Sequence, residues 1–155
     1  IEVIAKDKAG NKAVKNIVIA YSPLPPTILQ LFIDKKYIYV GSTKKIIDTA
    51  PIIKDERTLL PIRAIIESLG GKIFYEAENK EVTIFINGAE IHLFIGNNMA
   101  IVNEKEVQID ENKNVYPLII NSRTYLPLRF IIENIGGSVG WDAEERKVTI
   151  TYPLI

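Results

Sequence analysis

Apolar residues recur with two different periods along this chain, and each period predicts a different kind of element. After Pro61 and again after Pro127, apolar positions follow the spacing i, i+3, i+4, i+7, which predicts two short amphipathic helices. We place both prolines at the first helical position. The glycine pairs at 70–71 and 136–137 should end the helices, because glycine accepts a left-handed backbone at little cost.

Short strands are predicted on either side of each helix. An acidic turn and a β-branched run follow each glycine pair, which is typical of a hairpin. Two more hairpins are predicted upstream, where 37–40 pairs with 45–47 and 100–102 pairs with 107–109. Between them, Asn87-Gly88 is the strongest two-residue hairpin signal and should join the two halves of the chain by strand pairing.

An internal repeat organises most of the sequence. Residues 57–84 align on 123–150 without a gap, and 15 of these 28 positions are identical. Upstream the match is looser, pairing Phe32–Val40 with Phe94–Val102 and Ile46–Asp48 with Val107–Ile109, with a few extra residues around 110–116. We predict an α+β fold: an antiparallel β-sheet with two short helices, built as a two-fold internal repeat of a β-hairpin–helix–β-hairpin unit. The repeats span about 28–88 and 89–153 of a domain covering 28–155.

The first residues have a different pattern. Residues 1–21 alternate between apolar and polar on either side of a turn-rich Asp-Lys-Ala-Gly-Asn, which predicts one hairpin. This hairpin resembles the closing hairpin of bacterial immunoglobulin-like surface modules, and the resemblance implies that the rest of such a module is missing. Residues 22–27, with three prolines, read as a stiff linker. The start at Ile1, without a methionine or leader, indicates a piece of a longer protein.

Composition limits the chemistry that the chain can perform. Nineteen basic residues balance nineteen acidic ones in 155 residues, so no net field draws the chain onto nucleic acid or an anionic membrane. No apolar run reaches the roughly 18–20 residues that span a bilayer. The absence of cysteine excludes disulfides and thiolate metal sites, and a single histidine, His92, leaves little room for an imidazole metal centre. We interpret His92 as structural or solvent-exposed.

The string Arg-Thr-x-Leu-Pro-x-Arg, followed by a glutamate and a glycine pair, begins at Arg57 and again at Arg123. This ordered string resembles the N-terminal stalk domain of copper amine oxidases over about residues 28–153. The resemblance implies an antiparallel sheet wrapped around helix and a place among modular extracellular proteins of Gram-positive bacteria. In that family the oxidase reaction belongs to a separate domain, with three histidine copper ligands and a tyrosine in an Asn-Tyr-Asp/Glu setting. One histidine and no Asn-Tyr pair rule out that chemistry here, so we predict no catalytic residue, no metal site and no cofactor.

Repetition favours a structural role for the charged residues of this motif. Arginine and glutamate stand four residues apart on each predicted helix, a spacing that permits a weak ion pair. A site repeated on a pseudo-symmetric scaffold is more typical of positioning than of catalysis. The residues assigned to this structural motif are Arg57, Pro61, Arg63, Glu67, Arg123, Pro127, Arg129 and Glu133.

Two further patterns admit a binding interpretation, although the structural one is favoured. Trp141, Tyr125 and Tyr116 could stack on a sugar ring if exposed, but packing is the preferred reading. Asp110, Asn112 and Asn114 resemble the opening of a calcium loop, but the required glycine and glutamate are missing downstream, so a polar turn is favoured.

The hypothesis that follows is a non-catalytic structural or adhesion module, a stalk or spacer, of a secreted multidomain bacterial surface protein. The alternative is a carbohydrate- or cell-wall-binding module. The expected location is extracellular or at the cell surface. Expected partners are cell wall or polysaccharide and a second copy in a homodimer, with neither nucleic acid nor membrane insertion.

Overall fold

A computed structural model describes residues 2–6, 8–16 and 24–153. Strands β1 (Glu2–Lys6) and β2 (Lys12–Asn16) pair antiparallel and form a two-stranded sheet of their own, which confirms the hairpin predicted in residues 1–21. Part of the predicted linker lies outside the described residues, while its residues 24–26 are exposed and carry no regular structure. The assignment of the hairpin to an immunoglobulin-like module stays a prediction.

Residues 27–152 contain the same order of elements twice, namely five strands, a helix and two strands. The first half comprises β3 (Thr27–Phe32), β4 (Tyr37–Val40), β5 (Thr43–Ile46), β6 (Ile52–Lys54), β7 (Arg57–Leu60), α1 (Arg63–Ser68), β8 (Lys72–Glu76) and β9 (Glu81–Ile86). The second half comprises β10 (Ala89–Phe94), β11 (Met99–Val102), β12 (Lys105–Gln108), β13 (Leu118–Ile120), β14 (Arg123–Pro127), α2 (Leu128–Asn134), β15 (Ser138–Asp142) and β16 (Lys147–Tyr152).

The fold is β-rich, and the predicted α+β class is wrong. Antiparallel strands hold about half of the described residues, whereas the two helices have only six and seven residues. The predicted β-hairpin–helix–β-hairpin unit is also wrong, because five strands rather than one hairpin precede each helix. The short strands 52–54 and 118–120 have too few residues to show a clear alternation of apolar and polar positions.

The two halves exchange their terminal strands, and this exchange joins them into one unit. One five-stranded sheet has the order β15-β16-β3-β4-β5, so the last strands of the second half pair with the first strands of the first half. The other has the order β8-β9-β10-β11-β12 and contains the predicted Asn87-Gly88 hairpin, in which both turn residues have positive φ. A four-stranded sheet, β13-β14-β7-β6, joins the halves a third time through Leu60 and Leu126.

One apolar core lies between these sheets and the helices. Alternate strand residues point into it, such as Leu29 and Leu31 on β3 and Ile91 and Leu93 on β10, and all four are completely buried. Burying each such side chain stabilises the fold by about 1.5–3 kcal/mol. The helices are too short to persist alone in water and depend on this core through buried pairs at 65–66 and 131–132.

The ends of the helices agree only partly with the sequence prediction. Gly70 and Gly136 follow the helices with φ of +83° and +85°, which confirms the predicted glycine stops. The prediction that prolines occupy the first helical position is wrong. Pro61 lies before the N-cap of α1, and Pro127 is itself the N-cap of α2 with extended backbone, because proline geometry suits a strand end as well as a helix start.

The second glycine of each pair permits a close approach between helix and sheet. A Cβ at Gly71 would lie 2.7 Å from Ile66 Cγ2 and 2.9 Å from the Phe85 carbonyl oxygen. A Cβ at Gly137 would lie 2.7 Å from Ile132 Cγ2. Each helix therefore contacts its following hairpin at a distance that only glycine allows.

Candidate functional site: two clefts between the halves

Two clefts lie where the halves meet, and equivalent residues line them. The cleft of about 540 Å³, named here the Trp141 cleft, lies between α2 and β15 of the second half and the β6–β7 turn of the first. The cleft of about 430 Å³, the Tyr75 cleft, lies between α1 and β8 of the first half and the start of β14. Each cleft thus takes its helix and aromatic residue from one half and an arginine from the other.

An ion pair between the halves lies in the Trp141 cleft. Arg57 Nε donates to Asp110 Oδ2 at 2.6 Å and Nη2 donates to Oδ1 at 3.2 Å, a two-point contact. Asp110 is only 16% exposed. Burial alone would raise the pKa of Asp110, but hydrogen bonds from Arg57 and from the backbone N–H of Asn112 outweigh it and lower the pKa.

The equivalent pair in the Tyr75 cleft is more open to solvent. Arg123 Nε donates to Asp48 Oδ2 at 2.7 Å, and the two side chains are 51% and 61% exposed. The short contacts of Arg57 and Arg123 are therefore with carboxylates, and their contacts with the carbonyl oxygens of the preceding residues, at 3.4 and 3.5 Å, are secondary.

Each helix contributes the second ion pair of its cleft. Arg129 Nη1 lies 3.4 Å from Glu133 Oε1, and Arg63 Nη1 lies 3.7 Å from Glu67 Oε1. The spacing of four residues therefore brings both predicted pairs together, and all four side chains are more than half exposed. The positioning role assigned to the pairs stays a prediction.

The aromatic candidates separate into exposed and buried residues. Trp141 is 45% exposed and Tyr75 is 41% exposed, each at the border of its cleft. Tyr125 is 5% exposed and its hydroxyl donates to the Ala50 carbonyl at 3.4 Å, so it offers almost no ring surface to a ligand. Tyr116 is partly buried and lines neither cleft. The centre of its ring lies 6.0 Å from Lys54 Nζ.

His92 lies away from the clefts, on the outer face of the β8–β12 sheet. Its Nδ1 lies 2.5 Å from Glu81 Oε1 and its Nε2 lies 2.8 Å from Glu90 Oε1. Burial would lower the pKa of His92, but hydrogen bonds to the two carboxylates outweigh it and raise the pKa. Within the described ranges, no group of three or more acidic or histidine side chains has the geometry of a metal site.

Sequence reasoning missed the ion pairs of Asp48 and Asp110, because Asp110 was considered only as part of a calcium-loop motif and Asp48 was not considered as a site residue. The loose alignment paired Ile46–Asp48 with Val107–Ile109, one residue out of register. The shift of 62 that relates Phe32 to Phe94 aligns Asp48 with Asp110. That shift was the signal in the sequence that could have identified both aspartates.

The half-motif of a calcium loop is instead a pair of turns in which Asp110 Oδ1 accepts from Asn112 N, and Asn112 Oδ1 from Asn114 N.

The fold therefore defines a β-rich, pseudo-symmetric module with two clefts. Residues 38–150 match the family model described as copper amine oxidase N-terminal domain, and the chain belongs to this family. The N-terminal domain of copper amine oxidases is non-catalytic. Comparison with curated proteins and with solved structures gives no significant match. Neither helix of the described part has the length and apolarity needed to cross a bilayer.

Proposed function

We propose that this chain is a non-catalytic structural or adhesion module, of the stalk or spacer kind, in a secreted multidomain protein of a bacterial cell surface. Family membership supports the non-catalytic part of the proposal. The observation that carries the structural part is the pairing of β3 with β16, in which Thr27 is the direct partner of Tyr152.

This pairing has a geometric consequence for the chain on either side. Paired residues of antiparallel strands lie about 4.5–5.5 Å apart, so the chain enters and leaves the module at the same point. The body of the module then projects sideways from the longer chain, as a stalk does, and presents its remaining surface to the surroundings. This geometry favours a stalk over an in-line spacer, because such a module adds little distance between the segments that precede and follow it.

The distance between the two connections tests this arrangement directly. The chain has no cysteine, so spin labels can be attached at Leu24→Cys and Pro153→Cys without removing native thiols. We expect one narrow distance distribution below about 30 Å, since each label lies at most three residues from a paired strand end. A broad or much longer distribution would contradict the stalk arrangement.

Turnover of any amine or glycan substrate that a Glu133→Gln substitution abolishes would contradict the non-catalytic role.

The second candidate is a carbohydrate- or cell-wall-binding module. The exposed ring of Trp141 at a cleft of about 540 Å³ favours it, because an aromatic face that borders a concave site can stack on a sugar ring. A pulldown on insoluble bacterial cell wall tests this candidate without any assumption about the site.

A homodimer is a further proposal. The edge strand β5 is exposed at all four residues, and Ile46 is 78% exposed, so this edge has no partner strand within the described part of the chain and is open to a second copy. Sedimentation equilibrium should show a dimer that Ile46→Lys dissociates. A monomer over the whole concentration range would contradict it.

A further inference from the structure

We propose that the Trp141 cleft and the Tyr75 cleft are two equivalent binding sites for neutral oligosaccharides. The proposal deepens the carbohydrate-binding candidate and rests on it, because it names the sites and the ligand class.

An exposed aromatic ring borders each cleft at the same place in the fold. Trp141 on β15 and Tyr75 on β8 occupy equivalent positions and remain 45% and 41% exposed. An aromatic face of this kind stacks against the apolar C–H face of a pyranose ring, while the indole N–H or phenol hydroxyl remains available for a sugar hydroxyl. Both rings therefore match an amphipathic, ring-shaped ligand.

An apolar floor in each cleft contains aliphatic side chains at equivalent positions of the two halves. Such a floor with a few polar groups at its border is the common form of a small-molecule site. The equivalent aliphatic side chains are Leu128, Val139 and Val148 in the Trp141 cleft and Ile62, Ile73 and Val82 in the Tyr75 cleft.

Paired charges border each floor and determine which ligands fit. In the Trp141 cleft, Arg57 is paired with Asp110 and Arg129 more weakly with Glu133, so a carboxylate balances the charge of each arginine. The outer lone pairs and N–H groups of such pairs can still bind vicinal hydroxyls. This favours a neutral polyol over a phosphate or a carboxylate.

Two further carboxylates strengthen the exclusion of anions from the Trp141 cleft. Glu56 and Glu111 also line it, so four carboxylates accompany two arginines there. In the Tyr75 cleft two carboxylates, Asp48 and Glu67, balance two arginines. An acidic polysaccharide is therefore repelled from one cleft and gains nothing in the other, whereas a neutral one fits both. Two sites on one rigid module would also increase avidity for a long polymer.

Titration with oligosaccharides of matched length tests the proposal. The probes are cellohexaose and chitohexaose, which are neutral, and hexagalacturonate, which is anionic. Trp141 is the only tryptophan, so its fluorescence reports on its own cleft, while calorimetry gives the stoichiometry. We expect saturable binding of at least one neutral hexamer with two sites per chain and at least tenfold weaker binding of the anionic one.

Substitutions assign the binding to the clefts. Trp141→Ala and Tyr75→Ala should each remove one site, raising its Kd at least tenfold, and the double variant should lose both. Phe74→Ala is the matched control, because Phe74 is 55% exposed on the same strand as Tyr75 but lines neither cleft, and its binding should equal that of the unchanged chain.

Each other result would overturn the proposal in a recognisable way. Binding that survives the double substitution would reject these sites while leaving the carbohydrate-binding candidate in place. Equal or tighter binding of hexagalacturonate would reject the ligand class. No binding of any hexamer by the folded chain, together with no retention on cell wall, would reject the sites and the carbohydrate-binding candidate together. The stalk arrangement would still be tested separately by the label distance.

Discussion

The Trp141 cleft and the Tyr75 cleft contain the same arginine–aspartate pair at different depths. Asp110 is 16% exposed, whereas its counterpart Asp48 is 61% exposed. The connection that carries Asp110 runs over residues 109–117, and the connection that carries Asp48 only over 47–51.

Buried contacts hold the longer connection in place over the ion pair. Asn98 Nδ2 donates to the Val115 carbonyl at 2.6 Å, and Val115 is 3% exposed. The few extra residues of the second half thus shelter one pair from water without changing the residues that form it. We therefore expect the insertion to strengthen the Arg57–Asp110 pair from outside it, since charges shielded from water attract each other more strongly.

The largest difference between the halves should appear on substituting the glycines that bring helix and sheet together. Gly71→Ala places a Cβ within 2.9 Å of both Ile86 Cβ and the Phe85 carbonyl, whereas at Gly137 the nearest backbone atom, the Thr151 oxygen, is 3.1 Å away. We expect a loss of about 3 kcal/mol for Gly71→Ala and about 2 kcal/mol for Gly137→Ala in urea unfolding. The control is Gly140→Ala, whose Cβ would meet only an oxygen at 3.9 Å, with a change within about 0.5 kcal/mol. Equal effects at all three glycines would disprove the close approach.

Removing the carboxylate charge should separate the two ion pairs. Asp110→Asn should cost about 1–2 kcal/mol at pH 7, because the charge is sheltered, and Asp48→Asn no more than about 0.5 kcal/mol. The pKa of Asp110 is lowered in the folded state, so its stabilisation is present above the unfolded pKa of about 3.9 and is lost as pH falls through the folded pKa. Urea unfolding of both variants at pH 7 and pH 3 checks this. An equal cost at the two aspartates would remove the proposed role of the insertion.

A smaller effect is expected at His92. The equivalent residue of the first half is Gln30, which offers a comparison. The pKa of His92 is raised, so its ion pairs stabilise the fold below the unfolded pKa of about 6.5 and are lost as pH rises through the folded pKa. His92→Gln should therefore cost up to about 1 kcal/mol at pH 5.5 and little at pH 8.5. Gln30→His is the control and should gain nothing at pH 5.5, since Lys147 and Ile28 occupy the positions equivalent to Glu81 and Glu90 and neither carries a carboxylate. A cost for His92→Gln that is the same at both pH values would contradict the ion pairs.

The smallest effects should come from the helix pairs. A double-mutant cycle on Arg129 and Glu133, and another on Arg63 and Glu67, should each give about 0.3–0.5 kcal/mol, since all four side chains are exposed. A coupling above about 1 kcal/mol in either cycle would assign the pair more than a surface contact.

Much of the local structure could be predicted from the sequence, whereas the fold class and the site could not. Asn87-Gly88 formed the predicted hairpin, and glycines 70 and 136 ended the predicted helices. The fold class was wrong because the helices have only six and seven residues, and because the short strands 52–54 and 118–120, which pair with β7 and β14, were not predicted. For the site, Trp141 was named as a candidate, but Tyr125 was named with it and is buried beneath the connection that contains Ala50.

The sequence by itself determined the turns, the helix stops and the family, since each depends on residues within one motif. Only the tertiary structure decided that β16 pairs with β3, that Arg57 meets Asp110, and that an aromatic ring borders a cleft shared by the halves. The physical reason is that the alternation of a strand shows which face is buried but not which strand lies beside it. That choice is made when the whole core packs, between residues more than fifty positions apart.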